Sequence, residues 1–156
     1  MRSSPVPPPV WTLLFGAAMW AANRYVPLYT LFPVPWNRLG IVVMLVAPVA
    51  PVTAIVQFRR ARTTVNPHAI DTASALVTEG IYAFTRNPMY LGLALLLTGW
   101  AVDLGSLCAA IGPPLFVVLI QRFQIRPEEH ALRAKFGDDY ERYTRRVGRW
   151  LGRRTR

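Results

Sequence analysis

The chain has one cysteine, Cys108, which rules out a disulfide framework and a thiolate zinc cluster. It lies in an apolar run, where an inert packing residue is expected. Histidine is nearly as scarce. His68 has no second histidine, cysteine or carboxylate at metal-ligand spacing, so it reads as a solvated loop residue and no metal is expected. Acidic residues number only 8 against 18 basic ones. A signal-peptide cleavage site is also missing: Asn23-Arg24-Tyr25 follows the first apolar run where small residues would be required, which predicts a retained membrane anchor. Charge is all but absent from two later stretches. Residues 39–58 contain none, and residues 91–120 contain only Asp103.

Against these absences stand long apolar blocks and a concentrated positive charge. Apolar residues are 53% of the 156, and they are gathered into runs longer than the periodic stretches of a soluble domain. Of the formal charge of +10, most comes from the segment Arg122 to Arg156, which holds 11 basic residues. Beside apolar runs, such a block points to anionic lipid as the partner and away from nucleic acid. The pattern predicts an all-α membrane protein with about four transmembrane helices, at residues 10–32, 39–58, 89–102 and 104–120. All 156 residues form a single domain in this reading. Arg24 either snorkels to an interface beside Tyr25 and Tyr29 or acts within the membrane, and its place near one end of the segment favours the first. Pro48 and Pro51 should kink the second segment. The last two segments form a hairpin that turns at Asp103-Leu104-Gly105-Ser106, and Pro113-Pro114 should break its return helix.

Four spans put the N-terminus, the connector at 59–88 and the tail at 121–156 on one side. That side collects Arg59, Arg60, Arg62, Arg86 and the basic tail, so both termini should be cytoplasmic in this multi-pass protein, with a bacterial inner membrane as the expected setting. In the connector, Thr63-Thr64-Val65-Asn66-Pro67-His68 should be extended. Thr78-Glu79-Gly80-Ile81-Tyr82 should be a turn in which Gly80 is free to take positive φ. The tail should hold short amphipathic helices. Pro127, Glu128 and Glu129 suit a helix start, and Gly137 ends that helix. In the next one Tyr140, Tyr143 and Val147 share a face, while Arg142, Arg146 and Arg149 share another that meets either lipid or a ligand.

Two polar clusters therefore flank the hairpin: Arg86-Asn87-Pro88-Met89-Tyr90-Leu91-Gly92 before it and Arg126-Pro127-Glu128-Glu129 after it. Polar chemistry gathered at a membrane surface is a site hypothesis in its own right. The ordered set of Gly80-Ile81-Tyr82, the Arg86 to Gly92 motif, an apolar hairpin, Pro127-Glu128-Glu129, and Phe136-Gly137 followed by Tyr140, Tyr143, Val147 and Arg149 resembles the isoprenylcysteine carboxyl methyltransferase and phospholipid methyltransferase group of integral membrane enzymes. The resemblance covers residues 52–151.

That resemblance implies S-adenosylmethionine as cofactor, bound at the cytosolic edge by the loop before the hairpin and the tail after it. The family motif falls on Arg86, Asn87, Pro88 and Tyr90, and its paired glutamates on Glu128 and Glu129. Gly80 and Tyr82 complete the cofactor-binding set that it implies. Arg86, Tyr90 and Glu129 are the expected catalytic residues, and Tyr140, Tyr143, Arg146 and Arg149 are expected to face substrate or lipid. Three positions depart from the pattern. Asn87 stands where many relatives carry histidine, Tyr82 closes a Gly-x-Tyr where the phospholipid enzymes have Gly-x-Gly, and Gly148 replaces a proline that often precedes Arg149.

Either glutamate can accept from the cofactor's ribose diol or ammonium group, and the other can pair with Arg86. Methyl transfer is an in-line displacement that depends on alignment and exclusion of water. A carboxylate acceptor needs no base, whereas an amine must first lose a proton. The absence of a dedicated base favours a lipophilic carboxylate; Tyr90, His130 and the glutamates keep an amine open, and a thiol also fits. Two other readings fit the same residues. Membrane sterol and steroid reductases of similar arrangement use NADPH, although Leu93 stands where they commonly carry an acidic residue. A non-enzymatic accessory protein that binds anionic lipid through its tail is the other.

Overall fold

The computed structural model describes residues 6–26, 28–60 and 76–152. The expected extended stretch from Thr63 to His68 lies outside them. Among the described residues the chain is all helical, and its one extended pairing is an isolated bridge between Thr30 and Ser106.

Helix α1, Pro8–Tyr25, begins on paired prolines, whose fixed φ suits the first turn and whose missing N–H groups would have no helical partner there. It is shorter than the expected span of 10–32. Pro27, Pro33 and Pro35 follow in the sequence, and a residue before proline is driven out of helical geometry, as Val26 is. Past that point the backbone is held by the far end of the hairpin instead. Leu31 and Phe32 both donate to the Gly105 carbonyl, at 2.8 and 3.1 Å, and Leu107 donates to Tyr29.

A short 3-10 turn, Trp36–Arg38, leads into α2, Leu39–Val46, and α3, Val49–Arg60. The helix is interrupted at Ala47 and Pro48, where the proline has no N–H to bond back one turn, whereas Pro51 sits in the first turn of α3 and does not interrupt it. Helix α4, Pro88–Leu104, lies against both. Its approach to α2 is backbone to backbone: a Cβ on Gly40 would stand 2.3 Å from the Gly99 carbonyl oxygen, and one on Gly99 2.6 Å from the Gly40 oxygen. Small residues permit such contacts between apolar helices, where close packing replaces the hydrophobic drive. Gly99→Val should therefore wedge α2 from α4 and cost about 1–3 kcal/mol by overpacking. The expected readout is a lowered unfolding midpoint in detergent; an unchanged midpoint would contradict the contact.

The hairpin turn falls where expected. Helix α4 ends at Leu104, Gly105 takes φ +76, and Ser106 caps α5, Leu107–Ala110. Asn37 and Arg38 brace the turn through the Asp103 carbonyl (2.9 Å) and carboxylate (3.3 Å). After a break at Ile111, just ahead of Pro113-Pro114, α6 runs over Gly112–Ile120.

The tail differs from the separate short helices expected. A π-helical segment, Gln121–Ile125, joins α6 directly to α7, Arg126–Arg146, so one helical run carries the chain from apolar to charged sequence. Pro127 is thus no free helix start. Its ring would clash with a carbonyl one turn back, and the wider π turn just before it relieves that conflict. Gly137, at φ 48 and ψ −123, breaks α7 where the sequence predicted a stop.

Among the described residues two helical runs are long and apolar enough to cross a membrane, Trp36–Arg59 and Leu107–Arg146, with Pro88–Leu104 a shorter apolar helix; α1 is not among them. Large apolar side chains such as Leu13, Leu14, Leu45, Val49, Leu115 and Val118 point outward. An apolar exterior of this extent is the mark of a membrane protein. Inside the bundle, α1, α4 and α6 close on Met19, Tyr90, Leu97, Phe116 and Ile120. A second cluster of Ala54, Tyr82, Tyr140, Tyr143 and Val147 joins α3, the turn at 80–83 and the second half of α7. The candidate site forms where these two clusters meet.

Candidate active site

The loop before α4 is clasped by the end of the tail. Helix α7 stops at Arg146, and Val147 is extended. The chain then folds back so that Arg86 N donates to the Gly148 carbonyl (3.1 Å) and Gly152 N to the Phe84 carbonyl (3.0 Å). Asn87 adds its side-chain amide to the Arg149 carbonyl at 3.0 Å. Asn87 thus fastens the loop to the tail, and Pro88 behind it opens α4.

This clasp sets Arg149 against Glu129. The guanidinium grips the carboxylate with two donors, Nε to Oε1 at 2.9 Å and Nη2 to Oε2 at 2.6 Å. Arg86 reaches the same Oε1 at 3.0 Å and donates to the Tyr140 hydroxyl at 3.4 Å. The Arg86 and Glu129 side chains are only 6% and 4% exposed, so two cations enclose one buried anion. Burial by itself would raise the Glu129 carboxyl, but the Arg149 hydrogen bonds and the Arg86 and Arg149 charges outweigh it and hold the group below its ordinary value.

Glu128, one residue earlier, is in a different state. It receives one hydrogen bond, from the Tyr90 hydroxyl, and no arginine pairs with it among the described contacts. Burial pushes its carboxyl up to about 7; the Tyr90 bond opposes the rise and the neighbouring Glu129 charge adds to it. Tyr82 lies close enough to feel the Glu128 charge. Its carbonyl accepts from the Tyr143 hydroxyl at 2.7 Å, and Phe58 of α3 meets its ring edge-on at 5.3 Å.

The structure therefore gathers Arg86, Tyr90, Glu128 and Glu129, with Tyr140 completing the wall, and sets Tyr82 beside them. Of the residues expected to face substrate or lipid, Tyr140 and Tyr143 are turned inward at 2% and 3% exposure. Arg146 is at the surface. Arg149 does not continue the helical row from Arg142, because α7 has already ended; it points to Glu129 instead. Arg142 pairs with Asp139 on the outside.

Reading charge alone overlooked two features. One is the Arg149–Glu129 pair. The other is Gln57 on α3, whose amide packs on Gly80 so tightly that a Cβ there would stand 1.5 Å from Nε2; Gly80 itself has φ +57. An amide within the charge-free run at 39–58 was the available signal.

Two buried polar atoms around the site lack partners, Arg86 Nε and Gln57 Oε1. With Glu128 they leave a donor next to a guanidinium charge, a neutral acceptor and a carboxylate uncommitted to any cation. Such a set fits a ligand that carries both charges and several hydroxyl or amino donors, as S-adenosylmethionine does. Among the described residues, no three His, Cys, Asp or Glu side chains gather as metal ligands would.

The family model described as Phospholipid methyltransferase matches residues 36–139, which include both polar clusters. An uncharacterized protein of Haemophilus influenzae is 48% identical over 63 residues, 40% of this chain and 100% of that protein. Protein-S-isoprenylcysteine O-methyltransferase B of Arabidopsis thaliana is 32% identical over 114 residues, 71% of this chain. Protein-S-isoprenylcysteine O-methyltransferase of Schizosaccharomyces pombe is 37% identical over 75 residues, 46% of this chain. The chain spans 56% of the Arabidopsis protein and 30% of the yeast one. With its outward apolar faces and a family match over more than half of its length, the chain belongs to the phospholipid methyltransferase family as a membrane protein.

Proposed function

We propose that the protein is an S-adenosylmethionine-dependent methyltransferase that acts on a lipophilic acceptor at the cytoplasmic face of a bacterial inner membrane. The observation that carries this reading is the division of labour between adjacent glutamates. Glu129 is bound by two arginines and holds the tail on the loop, while Glu128 keeps a carboxylate for a ligand.

When bound, the cofactor supplies an electrophilic methyl group on a sulfonium. Glu128 holds its ammonium end or ribose diol, and Tyr90 fixes the rotamer of Glu128 by donating to it. Arg86 Nε offers a charged donor to the cofactor carboxylate. Tyr82 and Tyr140 close the site against water, which favours displacement over competing hydrolysis. Among the described residues no strong base has a free position, so the favoured acceptor arrives deprotonated, as a carboxylate does. An amine or thiol acceptor would need the Glu128 carboxylate to receive its proton, directly or relayed through the Tyr90 hydroxyl.

The orientation follows from charge. Gln124 donates to the Val6 carbonyl at 2.8 Å, so the start of α1 and the start of α7 lie at one end of the bundle. That end also carries the basic tail, which supports cytoplasmic termini, about four crossings with α1 as the first, and contact of Arg146 with anionic headgroups.

Because the Glu128 carboxyl titrates near pH 7, it is largely protonated at lower pH and ionised above. Cofactor affinity should thus rise several-fold from about pH 6 to about pH 7.5, and Glu128→Gln should flatten the profile. Calorimetry at several pH values checks this; a pH-independent affinity in the unaltered protein would count against Glu128 as the ligand. The activity itself is tested by incubating the purified protein in vesicles with methyl-labelled cofactor and either a prenylated cysteine or phosphatidylethanolamine. Label should enter the organic phase with one acceptor, and no transfer to either would argue against this acceptor class.

A further inference from the structure

The segment from residue 39 to 58 has two polar side chains, Thr53 and Gln57. Thr53 satisfies its hydroxyl within its own helix, donating to the Val49 and Ala50 carbonyls at 2.8 Å each. Gln57 has no such local answer. Its Oε1 is buried and accepts no hydrogen bond, although a buried acceptor without a donor is costly. A residue of that kind persists either because the amide is needed for packing or because a ligand completes it.

The surroundings favour a ligand. Helix α3 reaches the site edge: Ala54 is fully buried in the cluster with Tyr82, Tyr140 and Tyr143, and Phe58 touches the Tyr82 ring. Gln57 lies between these two positions. Its Nε2 lies over Gly80, so the backbone turn that carries Tyr82 orients the amide. Any side chain at Gly80 would collide with it, and φ +57 disfavours one independently. The missing side chain of Gly80 and the unsatisfied oxygen of Gln57 belong to one arrangement, set beside the tyrosine that borders Glu128.

We propose that Gln57 is a cofactor-binding residue, whose Oε1 accepts a hydrogen bond from an uncharged donor on the nucleoside half of S-adenosylmethionine, a ribose hydroxyl or the adenine amino group. A neutral amide discriminates donors by geometry and carries no net charge toward a sulfonium. It therefore recognises the part of the cofactor that methyl transfer leaves unchanged, while Glu128 meets a charged end or the diol. This inference rests on the methyltransferase reading and adds a contact from α3 to the two clusters that flank the hairpin.

Gln57→Leu and the less disruptive Gln57→Met remove the acceptor. Both should weaken S-adenosylmethionine, S-adenosylhomocysteine and 5′-methylthioadenosine by the same factor, about ten-fold, at every pH. The unliganded variants should unfold at the same temperature as the parent or above it, since a buried unsatisfied oxygen is gone. Calorimetry and thermal unfolding in detergent read both quantities. Unaltered affinities in both variants would overturn the proposal, and so would a lowered midpoint in both, which would make the amide a packing element of the Gly80 turn. If the parent protein binds none of the three nucleosides, the methyl-donor reading itself fails, and that outcome is separable from a parent that binds and variants that bind equally well.

Discussion

Glu129→Ala is expected to destabilise the protein by about 3–5 kcal/mol, the range for removing one partner from a buried ion pair. The reason is specific to this network. Arg86, at 6% side-chain exposure, has Glu129 as its only acidic partner among the described contacts, and Arg149 is held by the same carboxylate. Removing Glu129 leaves two cations close together with one of them buried. The clasp of residues 147–152 on the loop at 84–88 should open with them, since Arg149 anchors its middle. Arg149→Ala should cost less, because the Arg86–Glu129 pair that remains is neutral overall. Unfolding in detergent and protease cleavage within the tail read the ranking. Equal midpoints for Glu129→Ala and the parent would contradict the role assigned to Glu129.

Glu128→Gln is expected to do the reverse: little harm to the fold and a loss of about 10- to 100-fold in affinity for S-adenosylmethionine, the scale of a hydrogen bond to a charged group. The amide oxygen can still accept from Tyr90, so the local geometry survives. It also replaces a carboxylate that burial already disfavours in its charged form, so the midpoint should hold or rise. Two neighbouring carboxylates thus have opposite signatures, one in stability and one in binding. A large fall in midpoint for Glu128→Gln with unchanged affinity would exchange their roles.

Much of this arrangement was legible in the order of residues, and the exceptions have physical causes. Local rules located the Gly105 turn, the helix interruption at Pro48 and the break at Gly137, because each depends on a proline or on positive φ in a short window; Pro51, in the first turn of α3, interrupts nothing. Tyr140 and Tyr143 were expected on one face and are both buried, a consequence of helical period, whereas Val147, expected on the same face, is buried from extended backbone past the helix end. The continuity of α6 with α7 was not legible: Pro127 looks like a helix start until a π turn accommodates it. The first segment was overextended because apolar content hid the prolines that end its helix. Arg149 was misplaced on a helical row, since its real partner depends on a fold-back between positions 20 residues apart. Gln57 was visible as a lone amide, but its relation to Gly80 appears only when α3 packs on the turn.

The central claim is that the polar site between the loop before α4 and the start of α7 holds a methyl donor. Calorimetry of the detergent-purified protein with S-adenosylmethionine, S-adenosylhomocysteine and NADPH tests it most directly. Binding of the first two, weakened by Glu128→Gln, and none of NADPH is the predicted result; binding of NADPH alone would contradict it.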